Sequence, residues 1–349
     1  MPPDVITFHA GLPGYVPTPL IDVPALATAL RVGRVFVKDE SSRLGLPAFK
    51  VLGASWAVLR VLSERAGDVV TPTLADLRAS LASKPPVELV TATDGNHGRA
   101  VARMARLLGL AAHVYVPDVI DPAAAAAIPA EGAAVTTVVG SYDEAVRTAA
   151  RAARQRPEAE LVQDTAWPGY ERVPAWIVEG YSTLFKEIDA QLIQNRVGLA
   201  VVPMGVGSLA QAAVAHYRSR ATVPATALLG VEPDTAACVL ASLVAGRRTS
   251  VETAGTIMAG LNCGTPSSIA WPYLRAGLDA AVAVSDAEAL RAVQQLRASG
   301  IAAGPSGAAS LAGAIAALSG PGSNDRRAAL GVGPDTVVVL LSTEGRSTR

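Results

Sequence analysis

Three segments place chemically capable side chains beside glycines. The run GVGSLA, residues 205–210, directly follows the apolar, strand-like GLAVVPM and opens an alanine-rich helical stretch. Closely spaced glycines at a helix N-terminus expose backbone N–H groups and form a cradle for phosphate. The same run satisfies G-x-G-x-x-A, and Glu232 ends the next strand-like run, about where the ribose carboxylate of a dinucleotide site stands. A phosphate cradle, a nicotinamide site and a plain packing turn are all open on this segment alone. In ESSRLGLPAFKVLGASWAV, residues 40–58, the one lysine, Lys50, starts an apolar helical run flanked by Phe49, Val51 and Leu52. Burial there would depress its pKa and give an amine nucleophile, the alternative being a surface lysine with its ammonium in water. In TATDGNHGRAVARMA, residues 91–105, a strand gives way to a helix at Asp94, Gly95, Asn96 and His97. Taken singly, these read as an N-cap, turn residues and a satisfied helix histidine.

The elements that must position these groups alternate between β-rich and Ala/Leu/Arg runs. Strands are expected at 35–40, 87–93, 112–117, 134–140, 161–166, 198–204, 227–233, 280–285 and 335–342. Helices are expected at 49–66, 95–108, 122–132, 141–155 (opening on the capping-like SYDE) and 172–195. Such alternation is the α/β pattern of a largely parallel sheet covered by helices on both faces, and two such layers meeting at a cleft would place ligands at strand C-terminal ends. Polar stretches at 79–86 and 154–160 are candidate boundaries.

Composition removes several classes. A chain of 349 residues with 50% hydrophobic and 17% charged residues can build a core and does not have the composition of a disordered chain. Thirty basic against thirty acidic residues give no electrostatic footprint for nucleic acid or an anionic membrane. Two cysteines, Cys238 and Cys263, are too few for a disulfide framework and are not spaced as metal ligands, which suits a reducing compartment and no metal. The N-terminus MPPDVITFHA shows no export signal, and the charge-free stretches 197–215 and 298–324 are too rich in Gly, Pro, Ser and Ala to read as membrane spans. A cytoplasmic protein is expected.

Together, SSRLGLPAFK, TATDGNHGR, LVQDTAWPGY (161–170), TIMAGLNCGTPS (256–267) and LLSTEG (340–345) resemble the fold-type II pyridoxal-phosphate enzymes. Within that group the wording is similar to the diaminopropionate ammonia-lyases, from about residue 36 to 345. The resemblance implies a large cofactor domain, residues 1–50 and 160–349, with a small inserted α/β domain at 51–159 and the active site in the cleft between them. It further implies an amino-acid catabolic lyase that is commonly a homodimer, acting on a small amino acid with pyridoxal 5'-phosphate as cofactor. The nicotinamide reading gives way to a phosphate loop.

Carried over residue by residue, the resemblance gives Lys50 the internal Schiff base, with Phe49 beside the cofactor and Asn96 on the pyridoxal 3-hydroxyl. Gly205, Val206, Gly207, Ser208 and Leu209 would hold the phosphate, and Ser342 would face the ring nitrogen. A hydroxyl there does not enforce ring protonation, which favours elimination over transamination. Asp94 would be the base for a D-substrate and Lys50 for an L-substrate, with Asp164 assisting the leaving amine. The substrate carboxylate would rest on the backbone N–H groups of Asp94, Gly95, Asn96 and His97. The implied reaction is α,β-elimination of 2,3-diaminopropionate to pyruvate and two ammonia. A serine/threonine dehydratase-like lyase or a β-replacement synthase is the alternative on the same fold. Pro47 and Pro305 depart from the ammonia-lyase pattern, in which an asparagine and an acid are expected, and they bear on substrate identity.

Overall fold

A computed structural model describes residues 4–67, 73–219 and 225–346. Its strands, in chain order, are β1 (Leu20–Asp22), β2 (Arg34–Asp39), β3 (Glu88–Ala92), β4 (Ala111–Pro117), β5 (Ala134–Val138), β6 (Ala159–Leu161), β7 (Leu199–Pro203), β8 (Ala227–Pro233), β9 (Ala280–Val284) and β10 (Val337–Ser342). The described residues fall into two compact units, one within 1–16 and 43–183, the other within 17–42 and 184–346.

The second unit holds a six-stranded sheet in the order β1-β2-β10-β7-β8-β9, parallel except where β1 runs against β2. Every residue of β7 and β8 is buried, as expected of parallel strands covered on both faces, and this explains their unbroken apolar runs. The charge-free helix Pro305–Leu318 packs against this core. A Cβ at its Gly313 would stand 2.2 Å from a methyl of Val231, so the small residues of the helix let it lie close on the sheet. The 298–324 stretch thus contains a buried helix of 14 residues, and no helix of the described residues is long and apolar enough to cross a membrane.

The first unit holds a four-stranded parallel sheet in the order β5-β4-β3-β6. Helix Lys50–Ala66, which carries Lys50, crosses the first part of helix Arg172–Gln191 at paired glycines. A Cβ at Gly180 would meet the carbonyl oxygen of Leu52 at 2.5 Å, and one at Gly53 would meet Tyr181 at 2.5 Å.

The unit boundaries differ from the expected insertion at 51–159. Buried His9, on helix Val5–Ala10, bonds Thr183 Oγ1 at 2.7 Å and the Leu52 carbonyl at 3.0 Å, which ties the N-terminal segment to the first unit. The 154–160 stretch is no boundary, because Ala159–Leu161 pairs with β3 as β6. Helix Leu74–Leu81 overlaps the other candidate linker, its N-terminus capped by Thr73. Two further expectations shift. The strand expected at 161–166 ends at Leu161, so Gln163 and Asp164 lie just past its C-terminal end. The helix expected at 122–132 is α-helical only over Pro122–Ala127, with a short turn of tighter helix at Pro129–Glu131.

Candidate active site

The N-terminal turn of helix Asn96–Leu108 shapes one cluster in the first unit. Thr93, which sequence reasoning passed over, accepts the N–H groups of Gly95 (2.9 Å) and Gly98 (3.0 Å) through its hydroxyl. Thr93 therefore ties down the helix start, the role Asp94 was offered as an N-cap. Gly95 has φ +144°, a backbone state closed to L side chains, and its N–H is spent within the loop. Gly95 is one of the four residues, 94–97, whose amides were expected to receive a carboxylate. Asp94 and Asn96 are half-buried, whereas His97 is buried.

Lys50 Nζ lies 2.5 Å from Asp164 Oδ2. Burial works against the lysine's charge, but Asp164, Tyr181 and Asp94 outweigh it and raise the pKa above the ordinary lysine value. The depressed pKa expected from the apolar neighbours is thus overturned, because the sequence did not show that a carboxylate 114 residues away would meet the amine. Burial likewise opposes the charge on Asp164, yet the Lys50 ammonium and the hydrogen bonds from Lys50 and Tyr142 hold its carboxyl well below the usual range. Phe49 packs its ring 4.7 Å from that of Tyr181, and Lys50 Nζ lies 5.7 Å from the Phe49 ring.

Hydrogen-bond directions behind Asp164 are fixed by groups that can only donate. The Ala92 N–H donates to Gln163 Oε1 at 2.9 Å, which turns Gln163 Nε2 toward the Tyr142 hydroxyl at 2.9 Å. Tyr142 accepts there and donates its own proton to Asp164 Oδ1 at 3.0 Å. Asp164 thus carries a donor on each oxygen. Tyr142 and Gln163 were missed from sequence. Tyr142 follows Ser141, which does cap helix Tyr142–Arg154 as SYDE suggests, and that local role hid the other.

In the second unit, GVGSL joins β7 to helix Ser208–Arg218, with Gly207 at φ +94°. Packing demands the glycines: a Cβ at Gly205 would meet Cys263 Sγ at 3.0 Å, and one at Gly207 would meet Leu274 at 2.6 Å. Glu232 is buried and accepts the N–H groups of Val239 (2.8 Å) and Leu240 (2.7 Å), so it serves the start of helix Cys238–Ala245. Burial pushes its pKa up to about 7 despite those bonds. Ser342, at the end of β10, is fully buried with a hydroxyl that has no hydrogen-bond partner, and so is that of buried Ser306. A Cβ at Gly307 would come within 3.1 Å of the Ser342 oxygen. Pro305 begins its helix, and the Glu344 carboxylate accepts the adjacent Ser306 N–H at 3.2 Å, so an acid reaches this helix start from β10's end. No group of side chains suited to a metal ion occurs among the described residues.

Two helix-covered, mostly parallel sheets, a glycine loop at a helix start and a lysine paired with a carboxylate are the features expected of a fold-type II pyridoxal-phosphate enzyme. The signature of the family described as pyridoxal-phosphate dependent enzyme matches residues 12–343, and the chain belongs to that family. It is 37% identical over 300 residues to the diaminopropionate ammonia-lyase of Salmonella typhimurium, covering 83% of this chain and 74% of that protein. With the diaminopropionate ammonia-lyase of Escherichia coli K12 the identity is 35% over 347 residues, covering 97% and 86%. A crystal structure of the E. coli enzyme in complex with D-serine superposes with a TM-score of 0.90 at 33% identity, covering 98% of this chain and 88% of that one. Another, in complex with an aminoacrylate-PLP azomethine reaction intermediate, gives 0.86. Within the family the chain is a member of the diaminopropionate ammonia-lyases.

The residues present fit the cofactor. The buried, unpartnered hydroxyl of Ser342 is a donor suited to a ring nitrogen, and helix Ser208–Arg218 opens on a glycine loop suited to phosphate.

Proposed function

We propose that this chain eliminates ammonia from 2,3-diaminopropionate, giving pyruvate and a second ammonia. The observation that carries the reading is the 2.5 Å pairing of Lys50 with Asp164, with Asp94 also acting on the lysine's charge. A primary amine there faces a carboxylate that is matched to a second primary amine. Bound pyridoxal 5'-phosphate supplies the electron sink for the charge left when the substrate's Cα–H bond breaks. Lys50, Phe49, Asn96, Gly205, Val206, Gly207, Ser208, Leu209 and Ser342 are the residues that would hold it.

Asp94 accepts the α-proton of a D-substrate and Lys50 that of an L-substrate. The start of helix Asn96–Leu108 receives the substrate carboxylate, favoured by the positive end of the helix dipole. Asp164, kept ionised by Lys50 and Tyr142, holds the substrate's β-ammonium. That group arrives protonated and leaves as neutral ammonia, so Asp164 has no proton to supply and acts by charge and position. We place the enzyme in the cytoplasm, which two buried cysteines outside any disulfide support, and read it as a homodimer from the habit of its fold type.

Pyruvate release from separate D- and L-2,3-diaminopropionate tests the reading. Wild type forms pyruvate, Lys50→Ala does not, and Asp94→Asn depresses turnover of the D isomer far more than that of the L isomer. Equal loss on both isomers overturns the division of bases, and no pyruvate from wild type overturns the reaction.

A further inference from the structure

His97 is buried with only 1% of its surface exposed, and its two ring nitrogens have different fates. Nε2 lies 2.8 Å from the backbone carbonyl of Val162, which can only accept, so Nε2 carries the hydrogen. Burial lowers the pKa of His97 and keeps the ring neutral, the nearby Lys50 adding to the effect and Asp164 opposing it. Nδ1 is then a bare lone pair. It is buried, has no hydrogen-bond partner, and stands 3.9 Å from Asp164 Oδ2. Asp164 is itself an ionised acceptor. Two acceptors this close with no hydrogen between them repel, unless one donor bridges both.

The donor that satisfies this pair needs at least two hydrogens and gains from a positive charge. A single ammonium nitrogen can lie about 2.8 Å from both atoms. Lys50 Nζ already occupies one side of Asp164 Oδ2, which establishes that a primary ammonium fits against this carboxylate. A serine or threonine hydroxyl brings one hydrogen and no charge, and it leaves one of the two acceptors unserved.

We propose that His97 Nδ1 and Asp164 Oδ2 together form the receptor for the substrate's β-ammonium, which makes His97 a specificity-determining residue for diamino over hydroxyamino acids. This rests on the diaminopropionate reading and deepens it. The Val162 carbonyl is the positioning group, because it fixes which ring nitrogen lacks a hydrogen.

The test compares His97→Leu with His97→Asn in the cofactor-loaded enzyme. The two replacements have nearly the same shape, and both lose the Val162 contact. Asn keeps an acceptor oxygen near the place of Nδ1, whereas Leu has none. The expected result is a KM for D-2,3-diaminopropionate about ten- to a hundred-fold higher in the Leu variant than in the Asn variant, the range of one hydrogen bond to a charged group. The inhibition constant of D-serine against the same reaction should stay within about three-fold between them, since a hydroxyl draws little from a second acceptor. Should the Leu variant fail to fold, 15N spectra of histidine-labelled, cofactor-loaded Lys50→Ala decide the matter. The His97 Nδ1 resonance should move on adding diaminopropionate and stay in place on adding D-serine. Parallel shifts of KM and inhibition constant, or an Nδ1 resonance indifferent to diaminopropionate, overturn the proposal while wild-type pyruvate release leaves the reaction standing. Absence of pyruvate from wild type defeats the reaction itself.

Discussion

The Lys50–Asp164 pair offers a double-mutant measurement whose size follows from its surroundings. Asp164→Asn preserves shape but strands an ammonium, and Lys50→Met strands a carboxylate that Tyr142 and Gln163 still serve. Removing one partner of a fully buried pair costs about 3–5 kcal/mol. The Lys50 side chain is 19% exposed, so water screens part of that and about 2–4 kcal/mol is expected for Asp164→Asn. Lys50→Met should cost less, about 1–3 kcal/mol, because the remaining carboxylate keeps two donors. The double variant removes both charges and should fall short of the sum by about 2 kcal/mol. Urea titration of the cofactor-free proteins measures all four corners.

The pH dependence of that coupling has a definite sign. Asp164 has its folded-state pKa held below the ordinary value, so its contribution is whole above about pH 5 and is lost as pH falls through the folded value. Lys50 has a raised folded pKa, so its contribution is whole below about pH 9 and is lost as pH rises through the folded value. The coupling is therefore flat between those limits. A coupling within about 0.5 kcal/mol of zero, the spread expected of independent sites, or one that changes through neutral pH, refutes the assignment of a charged, mutually stabilised pair.

Gly180→Ala forces a methyl to 2.5 Å from the Leu52 carbonyl and opens the crossing of the two helices, so a stability loss of about 1–3 kcal/mol is expected in thermal unfolding. Glu232 has a pKa raised to about 7, so the folded state holds a proton the unfolded chain releases, and its contribution weakens as pH rises from about 4.5 to 7. Glu232→Gln should accordingly gain on wild type between pH 5 and pH 8, by up to about 3 kcal/mol, and an unchanged difference in urea midpoints across that span contradicts it. Ser342→Ala removes a hydroxyl without a protein partner and should leave the cofactor-free protein as stable as wild type, to within about 0.5 kcal/mol, while weakening cofactor retention on dialysis.

Most elements were readable because their signals are local. β7 and β8 lie in apolar runs, and the helices beginning at Lys50, Asn96 and Tyr142 start within a residue of where glycine, aromatic and capping residues place them. The three-residue strands were not: β1 was unseen and β6 was displaced, since pairing with β2 and β3 makes them strands and no local run does. The abundance of alanine and glycine also blurred periodicity. Only the packed helices showed what some of the small residues are for, as at Gly313 against Val231 and Gly180 against Leu52.

By itself the sequence determined the architecture and the places of the glycine loop and of Lys50 at helix starts, because parallel-strand runs and glycines before helices are properties of neighbouring residues. Tertiary structure alone decided the chemistry those residues can do. Lys50 is charged and not depressed because Asp164 meets it from 114 positions away, and Glu232 serves a helix start. The Val162 carbonyl, 65 positions from His97, settles which nitrogen of the ring is bare. A pKa or a tautomer is set by desolvation and by whichever charges and carbonyls stand within a few ångströms, and in this chain those groups come from distant strands and loops.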